Sequence, residues 1–219
     1  MKVLRDNGLT IVLMLLFLVS IVGQWLMGWH FENEELALHN QPQIGLGEFA
    51  TNPLFLSTVF ENWESEFLQM AVYVVFTCFL FQKGSAESKD PDEPPRDDNL
   101  AEQAKKPDAP GVLRMGRMAR ALYAQSLGIA LGVLFILSFL LHWIFSARHA
   151  AAEAIDHGAA PPTLLEYLTD AQLWFESFQN WQSEFLSTAV LIVLSIWLRQ
   201  RGSPESKAVA APHGQTGAD

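Results

Sequence analysis

The chain has a single cysteine, Cys78, in 219 residues. One thiol can form no intramolecular disulfide and no cysteine-based metal site. Lying inside an apolar run, Cys78 reads as a small buried hydrophobe. Basic residues are scarce as well: 14 Lys and Arg stand against 24 Asp and Glu, a formal net charge of −10, which argues against a nucleic-acid partner. The scarcity is local. Residues 28–66 contain no Lys or Arg, and residues 146–184 contain only Arg148. Catalytic signatures are missing too: there is no Ser-His-Asp order, no glycine-rich nucleotide fingerprint and no metalloprotease helix.

What is present is apolar and clustered. Four hydrophobic runs occupy residues 9–29, 67–81, 123–145 and 185–198. The first and third are long enough to cross a hydrocarbon core, which takes about 20 residues of helix. The first follows Lys2 and Arg5 as a signal peptide would. No small-residue cleavage site comes after it, however, and a related segment recurs in mid-chain, so it reads as a span. Charge gives the orientation. Lys2 and Arg5, the basic central segment 83–120, and Arg199, Arg201 and Lys207 flank the runs on one side, and the two acidic stretches lie on the other. The positive-inside rule then places both termini and the centre in the cytoplasm of a multi-pass inner-membrane protein.

The chain also matches itself at an offset of 118 residues without a gap. Phe60-Glu-Asn-Trp-Glu-Ser-Glu-Phe-Leu68 overlies Phe178-Gln-Asn-Trp-Gln-Ser-Glu-Phe-Leu186, and Lys83-Gly-Ser-Ala-Glu-Ser-Lys89 overlies Arg201-Gly-Ser-Pro-Glu-Ser-Lys207. Two spans per copy insert both copies the same way up, as parallel repeats. The expected fold is all-α: four transmembrane helices in two tandem repeats, 1–89 and 113–207, forming a four-helix bundle. Residues 90–112, rich in Pro, Asp, Lys and Glu, read as a disordered cytoplasmic linker, and 208–219 as a disordered tail. Arg114, Arg117 and Arg120 recur at every third position beside Met118 and Leu122, the pattern of a short helix gripping anionic lipid.

The motifs Phe60-Glu-Asn-Trp-Glu-Ser-Glu-Phe-Leu-Gln69 and Gln82-Lys-Gly-Ser-Ala-Glu-Ser-Lys89, with their second copies, resemble those of a family of small bacterial four-helix membrane proteins catalogued as a domain of unknown function. The resemblance covers nearly the whole chain. It implies the same topology and a bacterial origin, and no particular activity.

Two constellations could carry chemistry. The second and fourth runs are short of a bilayer crossing, so their helices must take in residues on the N-terminal side, beginning near Asn52-Pro53 and at Asp170 as caps. That puts Glu66 and Glu184 about one turn inside the boundary, with Asn62 and Asn180 above them on the same face. A carboxylate at that depth should face the bundle interior. The four residues are therefore expected to form a buried polar layer, either a structural seam or a proton or cation site. The second constellation lies between the spans. Among the few residues that stay identical between the copies there are Glu35, His39 and Glu48, repeated as Glu153, His157 and Glu166. Each Glu-x-x-x-His would share one helix face, and together they suggest a divalent-metal site. His30 and His149 read as interface residues.

Three functions follow in order: a non-enzymatic accessory, scaffold or envelope-associated membrane protein; a small proton- or cation-handling protein; and a metal-dependent membrane enzyme. The partners implied are the lipid bilayer and a homodimer or larger membrane complex, without nucleic acid.

Overall fold

The computed structural model describes residues 2–93 and 99–217. Among these the chain is helical, with no strand. The order is α1 (Lys2–Leu38), α2 (Leu46–Phe49), α3 (Pro53–Phe76), α4 (Leu100–Gln103), a 3₁₀ turn (Gly111–Arg114), α5 (Arg117–Ala124), α6 (Ser126–Asp156), α7 (Leu164–Tyr167) and α8 (Ala171–Trp197). Two compact units result, and each draws on both halves of the chain. One holds Met1–Phe60 with Leu141–Leu168, the other Glu61–Leu140 with Thr169–Asp219.

In the first unit α1 is helical because its long aliphatic run offers nothing that competes with the backbone. The one break is at Asn7 (φ −129°, ψ 18°), whose amide side chain bonds the Val3 carbonyl at 3.1 Å and so rivals the helical ladder. Two helical stretches, Val3–Leu38 and Ser126–Asp156, are long and apolar enough to cross a membrane. Leu9, Leu13, Leu16 and Val19 of α1 are all exposed, an apolar surface of the kind that marks a membrane or partner face.

Both long helices stop the same way. Asn40 (φ 55°) and Gly158 (φ 69°), 118 residues apart, turn left-handed. The next amides, Gln41 and Ala159, reach back to the carbonyls of Leu36 and Ala154, each at 2.8 Å. This is the Schellman stop, which satisfies carbonyls the helix would otherwise leave bare. His39 and His157 are thereby the first residues past α1 and α6.

The single turns α2 and α7 are clamped by indoles. Trp25 Nε1 donates to the Leu46 carbonyl at 3.1 Å, and Trp143 Nε1 to the Leu164 carbonyl at 2.9 Å. Asn33, buried, pairs with both backbone groups of Ile44, at 2.8 and 3.1 Å. Phe49 packs so closely on Gly28 that a Cβ there would meet its ring at 3.0 Å. The Asn52 side chain accepts from the Leu54 amide at 2.8 Å and Pro53 opens α3, which needs no N–H at that position. Asp170 caps α8 through the Gln172 amide, also at 2.8 Å.

In the second unit α8 buries Leu173 completely, its Trp174 and Trp181 rings pack tilted and edge-on with Phe139 and Phe135 of α6, and Phe178 packs on both tryptophans. Helix α3 ends at Phe76, before the apolar run that suggested it is exhausted. Cys78 falls in the turn beyond and is exposed, not buried as its apolar neighbours implied. Of the segment expected to be a structureless linker, residues 94–98 lie outside the described residues. Beyond them Asn99 caps α4 by accepting from the Glu102 amide at 3.3 Å.

The segment read as a tail is hydrogen-bonded as far as Gly217, whose amide donates to the Ser85 carbonyl at 2.9 Å; the last two residues, 218 and 219, lie outside the described residues. Lys207 is the reason. Its ammonium is buried, 1% exposed, and donates to the carbonyls of Gly84 (2.5 Å), His213 (2.9 Å) and Gln215 (2.9 Å), so the chain after it must curl round the charge.

Candidate functional site

The polar layer exists in the second unit, on a different face from the one expected. Asn62 and Glu66 are exposed, and Asn180 and Glu184 half-buried. The inward positions of α3 are instead Glu61, Glu64 and Ser65, with Gln69 one turn on. Glu64 has no accessible surface and accepts from Trp181 Nε1 at 2.9 Å. Glu61 accepts from the Asn180 amide, and Gln69 donates to Thr188 Oγ1 at 2.5 Å. Ser65, also buried, returns its hydroxyl to the Asn62 carbonyl at 2.9 Å. Helix rotation is the physical reason for the correction. The donors and acceptors of α8, Asn180, Trp181 and Thr188, bond the stripe of α3 that carries 61, 64/65 and 68/69. Comparing the copies hid it, because Glu61 and Glu64 correspond to Gln179 and Gln182.

The Glu/His set lies in the first unit and divides in two. Glu48 and Glu166 belong to helix caps. Glu48 accepts from the Gly45 amide at 3.4 Å, and Glu166 accepts from both the amide and the hydroxyl of Thr163, at 2.8 and 2.7 Å. These bonds hold the Glu166 carboxyl below its usual range. Neither residue lines the cavity described next, so their metal-ligand assignment is corrected to a structural one: the capping box.

Glu35, His39, Glu153 and His157 are gathered around a single cavity of about 430 Å³ at the C-terminal ends of α1 and α6, joined there by His149, Glu32 and Asp156. The His39 and His157 rings stand edge to face with centroids 6.3 Å apart. His39 Nδ1 lies 2.9 Å from the Glu35 carbonyl; a carbonyl only accepts, so Nδ1 is the donor of this bond and Nε2 is the ring nitrogen it leaves uncommitted. No three of the donor atoms here close to within 4.8 Å of one another, so the group surrounds a space and does not form a closed cage. Sequence reasoning missed His149, Glu32 and Asp156, which have no identical counterpart 118 residues away. Helical spacing back from Glu153 and His157 would have found His149.

At the other end of the second unit the two Gly-Ser-x-Glu-Ser-Lys motifs interlock. Ser85 Oγ pairs with Ser195 Oγ at 2.8 Å, which also accepts from the Ala86 amide at 3.2 Å. Gly84 (φ 85°) donates to Thr216 Oγ1 at 3.0 Å. Tyr73 donates its hydroxyl to Glu87 at 2.5 Å. Burial raises the Glu87 carboxyl above its ordinary range; the Tyr73 bond opposes the rise, and nearby Glu205, the matching residue of the second motif, adds to it. Burial lowers the Lys207 ammonium, with Arg199 adding repulsion. Of the basic triplet, Arg114 is partly spent on structure, donating to the carbonyls of Lys106 (2.9 Å) and Pro107 (3.2 Å). Arg117 opens α5, where Met118 and Leu122 are exposed, and Arg120 is half-buried.

The chain belongs to the family described as a domain of unknown function, DUF6766, whose model matches residues 1–218. No curated protein and no solved structure matches it.

Proposed function

We propose that this member of DUF6766 is a non-enzymatic, four-span protein of the bacterial inner membrane, with both termini in the cytoplasm, that serves as a scaffold or accessory subunit of a larger membrane assembly. The observation that supports this reading is the seam between α3 and α8. Its inward carboxylates, Glu61 and Glu64, are held by the fixed donors Asn180 and Trp181, the arrangement expected of polar glue between helices. A conduit would keep such groups open to water or to a moving ion. The interlocked motifs and the bonded tail add a structured surface on the side assigned to the cytoplasm, where an assembly could dock. Mild solubilisation from native membranes, followed by affinity purification of the full chain, should bring down a reproducible set of membrane partners. Turnover or solute flux by the purified chain alone in liposomes would overturn the reading.

A second reading, a small proton- or cation-handling protein, rests on Glu66 and Glu184 standing at equivalent positions of the two repeated motifs, on α3 and α8. The same liposomes test it.

A further inference from the structure

Glu35, His39, Leu46, Glu48 and Thr51 are the residues of 26–59 that recur unchanged 118 positions later. The fold accounts for three of them. Leu46 offers its carbonyl to Trp25, as Leu164 does to Trp143. Glu48 and Glu166 complete helix caps, and Thr51 returns its hydroxyl to the Glu48 carbonyl at 3.1 Å. Glu35 and His39 remain, with Glu153 and His157. Among the described residues the Glu35 and Glu153 carboxylates make no hydrogen bond or ion pair, so packing and capping do not explain them. All four line the same cavity.

We propose that this cavity binds a divalent transition ion of borderline softness, with Zn²⁺ the reference case, through the imidazoles of His39 and His157 and the carboxylates of Glu35 and Glu153. The inference goes beyond the scaffold reading and does not depend on it. Four observations converge. The donor set is nitrogen and carboxylate oxygen without thiolate, which suits Zn²⁺, Ni²⁺ or Cu²⁺ over the all-oxygen preference of Ca²⁺ and Mg²⁺. His39 Nδ1 lies against the Glu35 carbonyl, which leaves Nε2 as the nitrogen to offer a metal, an orientation device common behind metal-bound histidines. The cavity sits at the C-termini of α1 and α6, whose macrodipoles end there in partial negative charge and attract a cation.

The lining also contains the carboxylates Glu32, Glu35, Glu153 and Asp156 and no Lys or Arg. Arg148, the only Lys or Arg of 146–184, lays its guanidinium over the Phe145 ring at 5.6 Å instead. The donors stand apart, and Glu35, Glu153 and His157 are exposed side chains able to swing towards His39 by rotamer change.

The test is a Zn²⁺ titration of the full chain, purified in detergent and stripped with chelator, followed by calorimetry, with Co²⁺ absorption as a spectroscopic check. One Zn²⁺ per chain should bind, and Co²⁺ should give visible bands from nitrogen and oxygen ligands. His39→Ala with His157→Ala should weaken Zn²⁺ binding about 100-fold and erase the bands, and Glu35→Gln with Glu153→Gln should weaken it about 10-fold. His30→Ala, altering an exposed histidine of α1 outside the cavity, should leave binding unchanged. Unchanged helicity by circular dichroism keeps each variant interpretable. The proposal fails if wild type binds no Zn²⁺, if the double His variant binds as wild type does, if His30→Ala causes an equal loss, or if Ca²⁺ or Mg²⁺ competes at equal concentration.

Discussion

The indole N–H of Trp181 on α8 donates to the Glu64 carboxylate on α3 at 2.9 Å, and Glu64 has no accessible surface at all. A fully buried carboxylate is costly without donors, and this indole is one of them. Glu64→Gln keeps an oxygen for the indole and should change thermal stability in detergent only slightly. Glu64→Leu removes it and should cost on the order of 1–3 kcal/mol. Equal stability of the two variants would mean that the indole finds another partner or that the bond contributes nothing.

Lys207 should behave as a clasp. Lys207→Met keeps the aliphatic stem but strands the carbonyls of Gly84, His213 and Gln215, and should release the segment after it to limited proteolysis while α8 stays intact. Cleavage of 208–217 at the wild-type rate would show that the ammonium is not what holds it.

The Glu87 carboxyl makes the same region pH-sensitive. Its folded value lies above the unfolded one because of burial, with Glu205 adding to the shift. The folded state therefore holds a proton that the unfolded chain has released. The stabilisation is complete below the unfolded value and is lost as pH rises through the raised one. Hydrogen exchange at residues 84–89 and 202–207 should be slower at about pH 5 than at about pH 8, after correction for intrinsic rates. Glu87→Gln should flatten the difference. A wild-type difference that survives in Glu87→Gln would assign the effect to another group.

Topology is directly testable. Reporter fusions at Ala101 and at the C-terminus should register as cytoplasmic, and fusions at Gln43 and Pro161 as external, because Lys and Arg crowd one side of the apolar runs. An external signal at Ala101 would remove the parallel-repeat arrangement.

Glu66 and Glu184 separate the two functional readings. In the scaffold reading, proton or cation flux in liposomes stays at background for wild type and for Glu66→Gln with Glu184→Gln. In the handling reading, wild type conducts and the double variant does not, with melting unchanged.

The sequence by itself determined whatever depends on a few neighbouring residues. Apolar runs made the long helices, Asn52-Pro53 and Asp170 started α3 and α8, and the i,i+4 spacing of Glu35 with His39, and of Glu153 with His157, kept each pair together. Caps and helix periodicity act over one or two turns, so they can be read locally. Only the tertiary structure decided which stripe of α3 faces α8, and so that Glu64 rather than Glu66 is buried; a rotation of about 100° per residue leaves every stripe equally helical until a partner surface selects one. Tertiary structure alone turned Lys207 from a flanking charge into a buried one, because its carbonyl partners include Gly84, 123 residues earlier. It also brought the Glu32, Glu35 and His39 end of α1 and the His149, Glu153, Asp156 and His157 end of α6 to one cavity. No local rule brings such distant positions together; the packing of the helices does.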